Sequence, residues 1–368
     1  MNTDATPMAD ERIKSESFAT RLMKRPELGA IGGVILVTIF FLITADRTMF
    51  TLSGIMNFLT PAAQLGILGI AAAMLMIGGE FDLSIGSMVA FTGLIFGVLV
   101  VNMGLPLILA IPLTMACAAA MGALNGYIVI RTGLPSFIVT LAFLFILRGA
   151  TLVGLKLFSG GSTQLRGVRG AVEGDFLTPI FSGDAFGGLF RWLAELGVVE
   201  KFNSGMPKVP GIPVEILWFI AFALAATYVL LKTPAGNWIF ASGGDRDSAA
   251  NSGVPVRRVK ISLFMLTACA AALVAVITVI DAGSTDARRG FMKEFEAIIT
   301  AVIGGCLLTG GYGSAIGAFF GAIIFGMVTI GLTYTDFDQD WFQVFLGGML
   351  LLAVVFNNVI RKRVTGER

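Results

Sequence analysis

Residues 260–280 read KISLFMLTACAAALVAVITVI, and this stretch decides the fold class of the chain. Its only charged residue is Lys260, at the first position. A helix of about 20 apolar residues is long enough to cross the hydrocarbon core of a lipid bilayer. The stretch therefore predicts a transmembrane helix.

Comparable apolar stretches recur along most of the chain. They lie near residues 28–45, 61–79, 84–103, 105–130, 135–157, 213–231, 260–280, 296–311, 314–333 and 341–358. The composition agrees, since 56% of the residues are hydrophobic and only 14% are charged, whereas soluble domains carry about 25% charged residues. We predict an all-α bundle of about ten transmembrane spans, with residues 28–358 as one membrane domain, and exclude a soluble enzyme.

Basic residues between the spans predict the topology. They are concentrated in the leader 1–27, in the loop 232–260 and in the tail 359–368. The positive-inside rule places these segments in the cytoplasm, and an even number of spans puts both termini there. The same count leaves residues 158–212 as a periplasmic insertion. It also places the loop 281–295 outside, although that loop carries three basic residues, Arg288, Arg289 and Lys293.

Several kinds of site are absent from the sequence. There is no histidine, which excludes histidine-ligated metals and a histidine general base. No segment matches the phosphate-binding pattern G-x-x-x-x-G-K-[ST], so the chain is not expected to bind ATP through such a loop. Its net charge of +2 is too small to suggest a nucleic-acid partner. The cysteines lie inside apolar stretches and are interpreted as small buried hydrophobes; they are Cys117, Cys269 and Cys306. We therefore predict no catalytic residue, metal site or cofactor in this chain.

Polar residues within the spans are candidates for a translocation path. Arg148 is the clearest, because it lies in the middle of an apolar span and charged groups there are costly. Such residues either contact a solute or bond to a neighbouring helix, and the sequence leaves both interpretations open. The spans contain almost no carboxylates, which disfavours an ion-coupled carrier. The candidates are Asn57, Gln64, Asn125, Ser136, Thr140 and Arg148.

Two glycine-rich hairpins resemble each other. Residues 78–91 read GGEFDLSIGSMVAF and residues 304–319 read GGCLLTGGYGSAIGAF. Either an internal duplication or chance similarity between glycine-rich spans explains the match. Glycines permit tight turns, and aspartate and serine can cap the helix that follows. The hairpin residues singled out are Gly79, Asp82, Ser84, Gly86, Gly304 and Gly305.

Four stretches together resemble one known family. They are GGEFDLSIGS at 78–87, LNG at 124–126 followed by GLPSFIVTL at 133–141, the segment 243–260 that contains GGD and SGV, and AVIGG at 301–305 followed by GGYGS at 310–314. In this order and spacing they are similar to the membrane permeases of monosaccharide ABC importers of the ribose, xylose and galactose type.

The resemblance implies a permease subunit that moves a monosaccharide or related polyol across the bacterial inner membrane. It implies a second permease subunit, a periplasmic sugar-binding protein and a cytoplasmic ATPase that holds ATP and Mg²⁺. In such permeases the inner loop couples to the ATPase, with Asp247 here where the family usually has glutamate. The residues this implies are Gly243, Gly244, Asp245, Asp247, Ser248, Ala249, Ala250, Ser252 and Gly253.

Other functions remain open on the sequence. An ABC importer permease could instead carry a branched-chain amino acid, a nucleoside or a signalling furanone. An ion-coupled sugar carrier is disfavoured by the scarcity of carboxylates in the spans. A receptor or scaffold would need a signalling domain, and no loop is large enough to supply an ordinary one. The sequence decides neither the cargo nor whether the two permease subunits are identical.

Overall fold

The computed structural model describes residues 26–338 and 340–365. Nearly all of the predicted leader 1–27, and the last three residues of the predicted tail, therefore lie outside the described residues. The helices, in chain order, are α1 (Pro26–Thr44), α2 (Leu52–Ile77), α3 (Ile85–Gly97), α4 (Leu107–Thr132), α5 (Ser136–Phe158), α6 (Val168–Ala171), α7 (Thr178–Phe181), α8 (Gly187–Glu195), α9 (Val214–Lys232), α10 (Pro234–Gly244), α11 (Arg246–Asn251), α12 (Val256–Ala282), α13 (Lys293–Ile303), α14 (Ala315–Gly331) and α15 (Trp341–Thr365).

Within the described ranges, eight helices are long and apolar enough to cross a membrane. They are α1, α2, α3 with its π-helical extension Val98–Asn102, α4, α5, α9, α12, and α14 with its 3-10 extension Leu332–Tyr334. The all-helical membrane domain is thus confirmed in its main feature. The number of ten spans is not.

The predicted span at 296–311 is not a membrane-spanning helix. Its helix α13 has only 11 residues, which at about 1.5 Å per residue extends roughly half-way across a bilayer. Met292 has a φ of +66° immediately before it, and Gly305 has a φ of +90° two residues after its end. The run is apolar along its length, but the backbone leaves the helical conformation at both ends. The predicted span at 341–358 corresponds to α15, whose shorter apolar part is Trp341–Leu352.

Helices α2 and α12 form the centre of the bundle, and most of their residues are buried. Small residues let their neighbours approach closely. A Cβ added to Gly122 of α4 would lie 2.4 Å from the carbonyl oxygen of Phe264 in α12. The α4–α12 contact therefore requires glycine at this position, as is typical of tightly packed membrane helices.

Large apolar side chains are exposed on the outer faces of α1, α4 and α5, including Ile43, Tyr127 and Leu157. A soluble protein would not expose such a continuous apolar surface. These faces are suited to contact with lipid or with another membrane subunit.

The insertion 158–212 is folded and carries short strands. Strand β1 (Gln164–Arg166) pairs antiparallel with β4 (Ser284–Asp286), and β2 (Asp184–Ala185) pairs antiparallel with β3 (Ile212–Pro213). The strands are only two or three residues long, so they leave the predicted all-α class unchanged. The β1–β4 pair ties the insertion to the beginning of the segment 281–295.

Candidate functional site

The loop 232–260, predicted to face the cytoplasm, forms two short helices, and Asp245 caps the second. Its Oδ1 accepts hydrogen bonds from the backbone N–H groups of Asp247 at 3.0 Å and Ser248 at 2.9 Å, and its Oδ2 accepts the Ser248 hydroxyl at 2.9 Å. These bonds, above all the one from the Ser248 N–H, hold the pKa of Asp245 below its ordinary value. An ionised aspartate at this position is an effective helix N-cap.

Helix α11 presents an exposed polar surface. Asp247, Ser248 and Ala250 are exposed, whereas Ala249 is buried against the rest of the chain. The helix ends in a turn in which the N–H of Gly253 bonds to the carbonyl of Ala250 at 3.0 Å. Gly253 has a φ of +85°, and a Cβ there would meet nothing within 4 Å. The left-handed backbone alone therefore favours glycine at this position.

Gly243 lies at a contact between three backbone segments, which we call the glycine junction. The junction consists of Gly79, Gly243, Gly310 and Gly311. A Cβ on Gly243 would lie 1.8 Å from the carbonyl oxygen of Ile77, and a Cβ on Gly310 would lie 2.8 Å from the Cα of Gly79. The N–H of Gly311 donates to the Ile77 carbonyl at 2.9 Å. The beginning of the predicted coupling segment thus packs directly on both hairpins.

Each hairpin ends its preceding helix in the same way. The N–H of Gly79 bonds to the carbonyl three residues earlier at 2.9 Å, and so does the N–H of Gly305 at 2.9 Å. In both hairpins the following residue bonds to the carbonyl five residues earlier, at 3.2 Å and 3.0 Å. This is the Schellman helix ending, with the second glycine left-handed. The two hairpins therefore share the geometry of their first turn.

Asp82 is the centre of a buried network in the first hairpin. Its Oδ1 accepts the Ser84 N–H at 2.8 Å and the Ser84 hydroxyl at 2.6 Å, and its Oδ2 accepts the Thr267 hydroxyl at 2.6 Å. The Asn125 side chain donates to the Ser84 Oγ at 3.0 Å. The network links the hairpin to α4 and α12. Ser84 makes no side-chain cap to α3, so the capping role considered for it is not seen.

Helix α5 holds the backbone of the same hairpin. The Ser136 Oγ accepts the Phe81 N–H at 3.0 Å, and the Thr140 Oγ1 accepts the Leu83 N–H at 3.0 Å. Ser136 and Thr140 are both buried, as is Asn125. In this structure these three candidates for the translocation path bond within the chain, which is the alternative that the sequence left open.

An ion pair that the sequence did not indicate joins the loop 232–260 to the first hairpin. Lys260, in the first turns of α12, contacts the Glu80 carboxylate, and the two side chains are only 7% and 12% exposed. In the sequence Lys260 fits the usual enrichment of basic residues at the inner membrane surface. Its partner lies 180 positions away, so no local pattern reveals the pair. Thr267 was missed for the same reason.

Gly86 and Gly304 are required by close contacts with neighbouring backbone, not by a turn. Gly86 lies in the first turn of α3, where a Cβ would be 2.5 Å from the carbonyl of Gly290. Gly304 has a φ of −67°, and a Cβ there would lie 2.4 Å from the Ala318 nitrogen. This corrects the prediction that Gly86 allows the chain to reverse direction. The reversal depends on Gly79 and Gly305, which have positive φ.

The remaining path candidates lie in two places. Asn57 donates to the Tyr334 hydroxyl at 3.0 Å near the beginning of α2, and Gln64 lies beside the Glu215 carboxylate. Arg148 forms an ion pair with Glu294 at 3.4 Å. Neither Asn57 nor Gln64 is therefore grouped with Arg148.

The segment 281–295 is not the simple outer loop that we predicted. Its second part packs against α3 and α5, because Gly290 contacts the carbonyl of Gly86 and Glu294 pairs with Arg148. Two of its three basic residues form ion pairs, Arg289 with Asp286 and Lys293 with Glu296, and these pairs offset their charge. No cluster of residues able to hold a metal occurs in the described part of the chain.

Comparison with known proteins identifies the family. A family model described as branched-chain amino acid transport system / permease component matches residues 54–354. The xylose transport system permease protein XylH of Escherichia coli K12 is 29% identical over 362 residues, covering 90% of this chain and 92% of that protein. The ribose import permease protein RbsC of the same strain is 28% identical over 354 residues, covering 95% and 99%.

A third relative, the inner membrane ABC transporter permease protein YjfF of Escherichia coli K12, is 30% identical over 307 residues, covering 82% of each chain. No solved structure matches the chain. The predicted permease family and the multi-pass inner-membrane location are confirmed by these similarities and by the spanning helices. The chain belongs to this family, and it is a non-catalytic, membrane-spanning permease subunit of a binding-protein-dependent ABC importer.

Proposed function

We propose that the chain carries a monosaccharide or related polyol across the inner membrane. Two similar permeases are named for xylose and ribose, and the DLS-type hairpin, Asp82 to Ser84, resembles those of sugar permeases. Within this proposal, two permease subunits receive the sugar from a periplasmic binding protein. A cytoplasmic ATPase supplies the energy by binding and hydrolysing ATP with Mg²⁺.

The glycine junction is the observation that carries the coupling mechanism. Helix α11 is the exposed element that seats on the ATPase, and the residue before its cap is Gly244, next to Gly243 in the junction. When the ATPase closes, α11 moves and pulls on the end of α10. Backbone packed against backbone contains no side chain that could absorb this displacement. The movement therefore reaches both hairpins, and with them α2, α3, α13 and α14.

The topology belongs to the same proposal. Both termini and the loop 232–260 face the cytoplasm, whereas the insertion 158–212 and strand β4 face the periplasm. The β1–β4 and β2–β3 pairs give the outer surface a defined shape, on which a binding protein can dock. The positive-inside rule supports this orientation through the basic residues of the inner loop.

Single cysteines at exposed positions are expected to report this topology. In a variant lacking the three native cysteines, Ser204→Cys is expected to react with a membrane-impermeant maleimide in intact spheroplasts. Asn251→Cys is expected to react only after the membrane is permeabilised. Both positions are exposed, so accessibility across the bilayer decides the reaction. Labelling of both cysteines from the same side would contradict the proposed orientation.

Uptake by reconstituted vesicles tests the function itself. The permease, its ATPase and its binding protein are placed in proteoliposomes, and uptake of radiolabelled ribose, xylose and leucine is compared. We expect accumulation of a monosaccharide that requires both ATP and the binding protein. Accumulation of leucine instead would assign the cargo to the amino acid class. Uptake by this chain alone, driven by an ion gradient, would overturn the importer mechanism.

A further inference from the structure

Arg148 carries a charge at the middle of a membrane-spanning helix. It lies 12 positions after the beginning of α5 at Ser136, about 18 Å along a helix of 23 residues. Its side chain is 28% exposed on this subunit. A guanidinium at this depth is costly when it faces lipid, and such residues almost always face a protein interior or a water-filled cavity. This edge of α5 is therefore suited to line a cavity.

Two residues of the segment 281–295 hold the Arg148 guanidinium in position. The Arg148 Nη2 contacts the Oε1 of Glu294 at 3.4 Å, and Glu294 is only 2% exposed. The guanidinium carbon lies 5.1 Å from the ring centre of Phe291. Both partners come from the segment that was predicted to be an outer loop. The ion pair and the ring together orient the arginine without covering it.

Hydrogen-bonding capacity remains unused around this pair. A guanidinium has five N–H donors, and among the described residues only Nη2 of Arg148 has an acceptor. The buried Oε2 of Glu294 also has no hydrogen-bond partner within the described part of the chain. Buried polar groups are normally all satisfied. The Oε2 faces Gly86, so the hydrogen-bonding capacity that a ligand can reach lies on the guanidinium.

Exposed aromatic rings occur beside the pair and on the helices that carry it. Phe291 is exposed beside the guanidinium, Phe295 is exposed one turn further along α13, and Phe145 is exposed three positions before Arg148 on α5. Residues three apart on a helix lie on the same face. Small-molecule sites are typically apolar and aromatic, with a few placed polar groups that fix the orientation of the ligand.

We propose that Arg148, Glu294 and Phe291 form a contact site for the sugar on the wall of the translocation path. This inference rests on the proposed function. The sugar hydroxyls accept hydrogen bonds from the free N–H groups of Arg148, and the C–H face of the sugar packs on Phe291. The ion pair has no net charge, which suits a neutral polyol. A carboxylate cargo would be repelled by Glu294 as it approached the guanidinium.

Two variants separate sugar contact from coupling. In the reconstituted complex, Arg148→Gln and Phe291→Leu are each expected to lower ribose or xylose uptake per ATP hydrolysed by about tenfold or more, because hydrogen bonds to a charged group and ring contacts are lost. Stimulation of the ATPase by the loaded binding protein is expected to stay within about twofold of wild type, since neither residue belongs to the coupling segment. Arg148→Lys, which keeps the charge but not the planar fork, is expected to recover part of the uptake.

Matched controls are available at two other exposed positions. Phe137→Leu removes an exposed ring from α5, and Arg131→Gln removes a charge from the end of α4; both are expected to transport like wild type. Gel filtration of each complex reports assembly. Wild-type uptake per ATP in both Arg148→Gln and Phe291→Leu would overturn the site, as would an equal loss in the two controls.

Photolabelling distinguishes the site from the function. A diazirine derivative of ribose or xylose, whichever is transported, is expected to label residues 288–296 or the α5 peptide around Arg148. Labelling confined to other helices, with uptake intact, would overturn this site and leave the monosaccharide function standing. Absence of monosaccharide uptake by the wild-type complex would instead overturn the proposed function.

Discussion

Gly243→Ala is expected to abolish stimulation of the partner ATPase by the loaded binding protein, with a loss of at least about tenfold. The new Cβ would lie 1.8 Å from the Ile77 carbonyl oxygen and 2.8 Å from the Gly311 nitrogen. Overpacking of a well-packed region typically costs about 1–3 kcal/mol. Here the obstacles are backbone atoms, which cannot rotate away, so the three segments of the glycine junction must separate.

The neighbouring glycine provides the control for this prediction. A Cβ on Gly244 would have no atom within 4 Å, so Gly244→Ala is expected to retain wild-type stimulation. Gly79→Ala, whose Cβ would lie 3.1 Å from the Gly243 Cα at a φ of +81°, tests the same junction from the hairpin side. ATPase activity with and without loaded binding protein, together with gel filtration, measures coupling and assembly. Wild-type stimulation in Gly243→Ala would contradict the proposed role of the junction.

Glu80→Ala is expected to lower the free energy of unfolding by about 3 kcal/mol or more. Loss of one partner from a buried ion pair typically costs about 3–5 kcal/mol, because the other charge stays buried without compensation. Lys260 would be left in that state, since its side chain is only 7% exposed. The midpoint of thermal unfolding of the purified permease in detergent measures the change.

A double-mutant cycle isolates the pair from the effect of either substitution alone. Lys260→Ala is expected to destabilise the chain to a similar extent, and the double variant is expected to lose clearly less than the sum of the two. Glu200→Ala is the control, because Glu200 pairs with Lys208 at an exposed position and exposed pairs contribute about 0–1 kcal/mol. If the double variant loses as much stability as the sum of the two single variants, the two charges do not stabilise each other.

Most of the membrane domain was predictable because each spanning helix is a local property of the sequence. Length and hydropathy are enough for a stretch such as 260–280. They are not enough for 296–311, where the backbone turns at Met292 and Gly305. Apolar side chains can line a half-helix and the turn after it equally well, so hydropathy alone cannot locate the end of α13.

The sequence identified the polar residues within the spans, but it could not predict which neighbouring segment their side chains contact. Asn125, Ser136 and Thr140 stand out in the sequence because they interrupt apolar spans, and the structure turns all three toward the first hairpin. Which way a span is rotated depends on its neighbours, and these come from distant parts of the sequence.

The glycine junction could not be predicted either, because it depends on contacts between segments that are distant in the sequence. The glycine pairs at 78, 243 and 310 were each visible as local motifs. Their contact requires three segments separated by more than 60 residues to meet. The coupling role of Gly243 follows from that meeting, so it could not be derived from the spacing within the inner loop.

The pairing of β1 with β4 has a mechanical consequence. Strand β4 ends at Asp286, and Gly310 and Gly311 of the glycine junction lie about 25 residues further along the chain, with the short helix α13 between them. This one segment therefore takes part both in the strand pair of the insertion and in the contact made by Gly243. In the proposed orientation, a binding protein docked on the insertion and an ATPase bound to α11 act on opposite ends of the same stretch of polypeptide.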